Sequence, residues 1–360
     1  MGTGRGRVTR NFSPWAQWQL RLAATEPRDP IPPADGPDGG ADGLGAWRER
    51  CRRRLDPLLA PWPEPVPLDL EVIESVDCGT YRRERIVFDT EAAMSVPAFL
   101  LVPFDRTAAG SAVLAVHGHG PGKSEVCGLD DAQSRAAIVE HNGDYAHQLA
   151  RRGHVVLAPD LRCFGERADW SPPEKYLCDL NLVHATADGG SPLTQNLWEL
   201  ARAVDVLAAH PLVDPERIGM VGLSYGGTCT LFLAACDERI RASVVSGYFS
   251  SWKAAHRVPW NLCGSQVLPG MLGEIEHVDL GALVAPRALL VESGSEDVLF
   301  PVEVAREELI AVRRVYDALG ASPDALVHDA FDGEHRWNGA LAYDFLEQWL
   351  GSPHTSTGPR

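Results

Sequence analysis

The sequence predicts an α/β fold: a mostly parallel central sheet with antiparallel strands at its N-terminal side and helices on both faces. Three observations carry that expectation. From residue 111 onward six apolar runs, "AVLAVHG", "HVVLAPD", "RIGMVGLS", "ASVVSGY", "RALLVESG" and "DALVHDAF", alternate with helix-length amphipathic segments. Continuous apolar strands separated by helices form a parallel sheet covered on both faces. Ahead of them "LEVIESV", "RERIVFDT" and "SVPAFLLVP" follow in close succession, with the alternation of antiparallel strands. Finally, "RIGMVGLSYGGT" passes from strand through a glycine-flanked turn into a helix.

In chain order, residues 1–65 read as an N-terminal helical extension with a Pro/Gly-rich loop. Trp15, Trp18 and Leu22 fall at helical spacing. The stretch 27–45, "PRDPIPPADGPDGGADGLG", is too poor in apolar residues to order itself and reads as a linker or long loop. "GAWRERCRRRLDPLLAPWP" reads as a second helix stopped by prolines. Residues 66–352 form the main α/β domain, with helices expected over 139–151, 196–209, 226–236, 302–319 and 339–350. Within it about 162–195 is an insertion, too long for a simple connection, and 353–360 is a flexible tail.

Composition narrows the function. The 360 residues carry 33 Lys plus Arg against 49 Asp plus Glu, a net charge of -16 that repels nucleic acid and anionic membranes. Eight cysteines are scattered without a C-x-x-C pair, which argues against a structural zinc site, and no metal is expected. The N-terminus lacks the apolar core of a secretory signal, and no run approaches a membrane span of roughly 18 apolar residues. A cytoplasmic location is the expectation. A homo-oligomer stays open, since the N-terminal tryptophans could cover the chain's own site or a partner subunit.

The chemistry centres on Gly222-Leu-Ser224-Tyr-Gly226-Gly227, which has the strand, turn, helix context of a nucleophile elbow. A serine hydroxyl needs a base and an orienting acid, which follow in this fold in the order acid, then histidine. Asp297 in "LLVESGSEDVLFP" sits just past a strand; Glu292, still on the strand, and Glu296 are its rivals. His335 in "FDGEHRWNG" occupies the loop before the last helix, whereas His328 reads as a strand residue. Acyl transfer also needs backbone donors for the oxyanion. The amide of Tyr225, after the nucleophile, is one.

The second donor comes from the loop in "SAVLAVHGHGPGKS". That stretch resembles a nucleotide-binding P-loop, but the glycine required before Gly-Lys-Ser would stand where His117 does, so the spacing fails. It reads instead as the oxyanion loop, with the His119 amide as donor. Lys123 and Ser124 then read as a solvated lysine and a helix-capping serine.

With these residues in place, the chain resembles an α/β-hydrolase of the dienelactone hydrolase and acetyl-xylan-esterase-like group. The matching pieces are "YRRERIVFDT", "VPAFLLVP", "HGHGPGK", "DLRCFGER", "GLSYGGT", "PGML", "APRALLVESGSEDVLFP" and "DGEHRW", in order across residues 80–350. The resemblance implies hydrolysis of carboxylic esters through an acyl-enzyme, without metal or organic cofactor. Dienelactone hydrolases proper use a cysteine nucleophile; here Ser224 stands in its place. The expected partner is a small-molecule ester.

The segments 160–196 and 248–272 should lie near the sheet top, and make Trp170, Tyr176, Trp252, Trp260 and Cys263 candidates for the substrate pocket, with core packing an equal alternative for the aromatics. Arg162, Glu166 and Arg167 read as a structural ion pair, with binding of a polar acyl group as the alternative. Two rival readings stand beside the esterase: a prolyl-oligopeptidase-like peptidase or amidase, for which blade-length repeats are missing, and a non-catalytic ligand-binding protein of the same fold.

Overall fold

The computed structural model describes residues 11–129, 132–170, 177–257 and 261–351. Nine strands make one sheet: β1 (Glu71–Asp77), β2 (Tyr81–Glu91), β3 (Met94–Pro103), β4 (Gly110–Val116), β5 (Val155–Pro159), β6 (Val213–Leu223), β7 (Ile240–Ser246), β8 (Ala288–Gly294) and β9 (Leu326–Phe331). Their spatial order is β1-β2-β3-β5-β4-β6-β7-β8-β9. The β1–β2, β2–β3 and β3–β5 pairings are antiparallel and all pairings from β4 to β9 are parallel. The expected mixed sheet is therefore the observed one.

The inner strands β4, β5 and β8 bury every side chain, and consecutive side chains point to opposite faces of the sheet. In β4 the residues Ala112, Leu114 and Val116 belong to one buried cluster, and Val113 and Ala115 to the other. The first cluster is completed by helices Pro192–Ala209, Tyr225–Cys236, His277–Val284 and Val302–Ala318; the second by Tyr145–Arg151 and Ala342–Leu350. At the far edge β1 is exposed along most of its length and carries Glu71, Glu74 and Asp77 beside Val72 and Ile73.

Three boundaries differ from the sequence reading. The helix expected over 139–151 is two, Ala132–Glu140 and Tyr145–Arg151, because Asn142 turns the chain with φ 55°. The helix expected from residue 196 begins at Pro192, capped by the Ser191 hydroxyl, which accepts from the Thr194 amide at 3.0 Å. Most instructive is the 27–45 stretch. Its helix starts at Ala41 and runs to Leu59, with Leu44, Trp47, Cys51, Leu55 and Leu59 all inside the main core.

The prolines ahead of that helix are held by charge. Asp29 accepts from Arg50 at 2.9 Å and from Arg54 at 2.7 Å, its main-chain carbonyl accepts from the Trp47 ring nitrogen at 2.8 Å, and the Arg50 contact foremost holds the Asp29 carboxyl below its usual range. Composition alone excluded a hydrophobic anchor here but could not foresee arginines on the next helix. The tail 353–360 lies outside the described residues.

The Asp29 contacts make a prediction. Asp29→Ala should lower stability by about 1 kcal/mol, the scale of partly exposed ion pairs, and should quicken amide exchange across residues 27–40. A urea midpoint equal to that of the parent chain would show that the arginine contacts add nothing.

Candidate active site

The turn after β6 is forced by close backbone approach. A Cβ on Gly222 would lie 2.3 Å from the Gly226 carbonyl carbon and oxygen, and one on Gly226 would lie 2.1 Å from the Val116 carbonyl oxygen. Only glycine lets the helix Tyr225–Cys236 start so near the ends of β6 and β4. Between them Ser224 takes φ 57° and ψ -115°, a strained conformation for a residue with a side chain, and its amide donates to the Ser246 carbonyl at 2.9 Å. As the first residue of its helix, Tyr225 has an amide with no partner within the helix.

Asp297 and His335, far apart in sequence, meet. The Nδ1–H of His335 donates to Asp297 Oδ2 at 2.8 Å, while Asp297 Oδ1 accepts from the amides of Leu299 and Phe300 at 2.8 and 3.0 Å. The carboxylate, fully buried, is thereby fixed on its own loop. Because Nδ1 faces the carboxylate, Nε2 is the nitrogen left to accept a proton. A Cβ on Gly247 would fall 2.9 Å from His335 Cε1 and 3.2 Å from Leu223 Cδ1, so the imidazole borders the residue just before Ser224. His335, Leu223, Trp337, Pro121 and Glu125 line a cleft of about 720 Å³ beside the turn.

Of the two acidic rivals, Glu296 is exposed and Glu292 is fully buried. Glu292 accepts from the amides of Gly339 at 2.7 Å and Asn338 at 3.2 Å, and burial pushes its carboxyl up to about 7. It holds the loop that carries His335 from beneath. His328 lies on β9 and meets Ser293 at 3.2 Å.

The loop after β4 comes against the turn: a Cβ on Gly118 would stand 3.0 Å from the Leu223 carbonyl oxygen and 3.4 Å from Ser224 Cβ. His119 is the next residue along this loop. What pins this loop was not visible in the sequence. His117 is fully buried; its Nε2 accepts from the Leu161 amide at 3.0 Å and its Nδ1 faces the Gly118 carbonyl at 2.7 Å. That pairing requires the neutral ring with hydrogen on Nδ1, and burial accordingly lowers its pKa to about 4.

Lys123 corrects the sequence reading. It is buried, 3% exposed, with its ammonium paired to Asp160 and, at 2.6 Å, to Glu166. Asp160 also accepts from the amides of Lys123 at 2.8 Å and Glu166 at 3.0 Å. Glu166 is held down to about 2 by Arg85 and then by Lys123. Arg162 and Arg167 both reach Glu199, Arg162 at 2.8 Å, so these ions are structural. Ser124 does not cap a helix either: Gly122 is the cap residue, and the Ser124 hydroxyl donates to the Pro121 carbonyl at 3.4 Å.

The pocket candidates scatter. Trp252 is fully buried, its ring nitrogen donating to the Ile275 carbonyl and its ring 4.2 Å from that of His277, so it belongs to the core. Trp170 points into solvent, 84% exposed. Tyr176 and Trp260 lie outside the described residues. Cys263 does reach the site, 3.0 Å from His119 Nε2, and Cys178 joins them. Cysteine spacing could not reveal this, because the three residues come from separate segments. Trp18 of the N-terminal helix packs edge-on against His256, with ring centroids 5.3 Å apart.

Comparison with known proteins agrees with this architecture. A Bacteroides fragilis structure assigned as an acetyl xylan esterase superposes with a TM-score of 0.73 at 19% identity, covering 91% of this chain and 84% of that one. The glucuronoyl esterase from Solibacter usitatus gives 0.66 at 14% identity, over 91% and 98%. Residues 128–256 match the model of the Dienelactone hydrolase family and residues 200–313 that of the BAAT / Acyl-CoA thioester hydrolase C terminal family. The chain has the α/β-hydrolase fold of these structures. The chain is also 25% identical to the putative hydrolase YtaP of Bacillus subtilis (strain 168) over 320 residues, 84% of its own length and 100% of the relative's.

The buried charges around the site make two predictions. Lys123→Ala leaves Asp160 buried without its cation and should cost about 3–5 kcal/mol in denaturant unfolding; a loss below 1 kcal/mol would mean that the lysine is not held as described. For Glu292 the folded-state pKa of about 7 stands above the ordinary glutamate value. Between the two the folded chain holds more protons than the unfolded one, so stability falls as pH rises through that window. Glu292→Gln is neutral throughout. It should therefore lose less stability than the parent between pH 5 and pH 8, and equal losses would place the proton elsewhere.

Proposed function

We propose that this chain hydrolyses carboxylic esters of small or medium size through an acyl-enzyme. Ser224 Oγ attacks the carbonyl, His335 Nε2 takes its proton and returns it to the leaving alcohol, and Asp297 holds the imidazole and stabilises its cation. The amides of Tyr225 and His119 receive the developing oxyanion. The observation that carries the reading is the conjunction of a serine at φ 57° in a glycine-walled turn with a histidine bonded at 2.8 Å to a buried aspartate. Esterases among the structural relatives favour ester over amide chemistry.

The chemistry assigned to these side chains needs neither a metal nor an organic cofactor. Eight cysteines in the thiol form fit a reducing compartment such as the cytoplasm. Among the described residues no helix is long and apolar enough to cross a membrane.

Ser224→Ala should reduce kcat on an activated ester by about 10³-fold or more, since the covalent route is lost while the oxyanion donors remain. Wild-type turnover of p-nitrophenyl acetate should far exceed that of a proline anilide. The opposite preference would select the peptidase reading, and failure of Ser224 to label with a fluorophosphonate would select a non-catalytic protein.

A further inference from the structure

We propose that His119, Cys178 and Cys263 form a binding site for a thiophilic divalent cation, Zn²⁺ being the ion that best suits one imidazole and two thiolates. The three residues come from separate parts of the chain: the loop after β4, the helix Leu177–Ala187, and the short turn Gly264–Gln266 with the residue that caps it. Their ligand atoms nevertheless lie within 4.8 Å of one another, and His119 Nε2 is 3.0 Å from Cys263 Sγ. Around a tetrahedral zinc ion, bond lengths of about 2.1 Å to nitrogen and 2.3 Å to sulfur put ligand atoms roughly 3.5–3.8 Å apart. Adjustments on the order of 1 Å bring these three into that spacing.

The surroundings hold the ligands in place before any ion arrives. The Gly264 amide donates to Asp179 Oδ1 at 3.1 Å, joining the residue after Cys263 to the residue after Cys178. Gln266 is tied to Thr228 on the helix that begins at the serine turn, at 3.0 Å. The His119 ring packs against both Phe164 and Tyr225, with centroids 5.6 and 5.2 Å away. Cys178 is buried and Cys263 half-buried, while His119 is exposed and gives the ion a way in from solvent. Two thiolates neutralise the charge of the ion, whose binding releases their protons. Three protein ligands leave a fourth position for water.

The consequence for turnover rests on the ester-hydrolase reading. The ion would tie the helix Leu177–Ala187 and the turn capped by Cys263 to the loop that offers the His119 amide. A loop held in this way adjusts less to substrate and leaving group, so the occupied site should slow turnover.

The test uses the full-length protein, reduced and free of chelator. Addition of Co²⁺ should give a sulfur-to-cobalt charge-transfer band that saturates at one equivalent and is removed by Zn²⁺. Cys178→Ser and Cys263→Ala should each lose the band with unchanged far-ultraviolet circular dichroism, whereas Cys163→Ser should keep it. Absence of the band in the parent chain, or its survival in Cys178→Ser, overturns the site. Stoichiometric Zn²⁺ should slow ester turnover of the parent at least about threefold and spare Cys178→Ser; equal slowing of both overturns the effect on turnover. The spectrum needs no catalysis, so a chain that binds Co²⁺ but hydrolyses no ester would reject the hydrolase reading and leave the cation site standing.

Discussion

The backbone of Gly226 passing against the carbonyl of Val116 is the contact on which the rest of the site depends. With no side chain between them, the helix Tyr225–Cys236 begins directly over the junction of β4 and β6. The strained serine and the loop after β4 are then placed at one end of the sheet, facing one another. Any side chain at that crossing would part the two strands' ends and separate the proposed nucleophile from its proposed oxyanion donor. Geometry of this kind is enforced by sterics, so it persists without a hydrogen bond between the two loops.

Around this crossing the molecule invests in polar anchors instead of apolar ones. His117 bridges the loop to Leu161, and Lys123 bridges it to Asp160 and Glu166. Glu292 performs the same service for the histidine loop on the other side. Buried charges are costly to desolvate and add little net stability. What they supply here is direction: each fixes backbone amides or a cation in one place, which a greasy contact between mobile loops would not. The site is thus framed by ionisable groups that take no part in the proposed proton transfers.

Much of this was legible in the sequence because it is local. Continuous apolar runs announced the parallel strands, and the glycines around Ser224 announced the turn, since both signals occupy a few consecutive residues. Asp297 and His335 could be placed by their loops, and the structure brings them to 2.8 Å. The failures share a cause. Lys123 read as solvated because its partners, Asp160 and Glu166, sit on another connection. Trp252 read as a pocket candidate because an aromatic near the sheet top looks the same whether it faces a substrate or His277. The grouping of His119, Cys178 and Cys263 leaves no spacing to detect. Burial and pairing between distant segments are properties of the fold, and a residue's neighbours in the chain do not encode them.

Among the described residues, the outer strand β1 ends the sheet with no strand on its far side, beside exposed Val72 and Ile73. An edge of that kind invites another chain to extend it. Glu71, Glu74 and Asp77 are evenly spaced along it. A second copy aligned antiparallel about Glu74 would set Glu74 against Glu74 and Glu71 against Asp77, so that every acidic position meets its like. Self-complementarity in hydrogen bonding is thereby coupled to a meeting of like charges, which Arg85 and Arg82 on β2, opposite Glu74 and Asp77, offset in part.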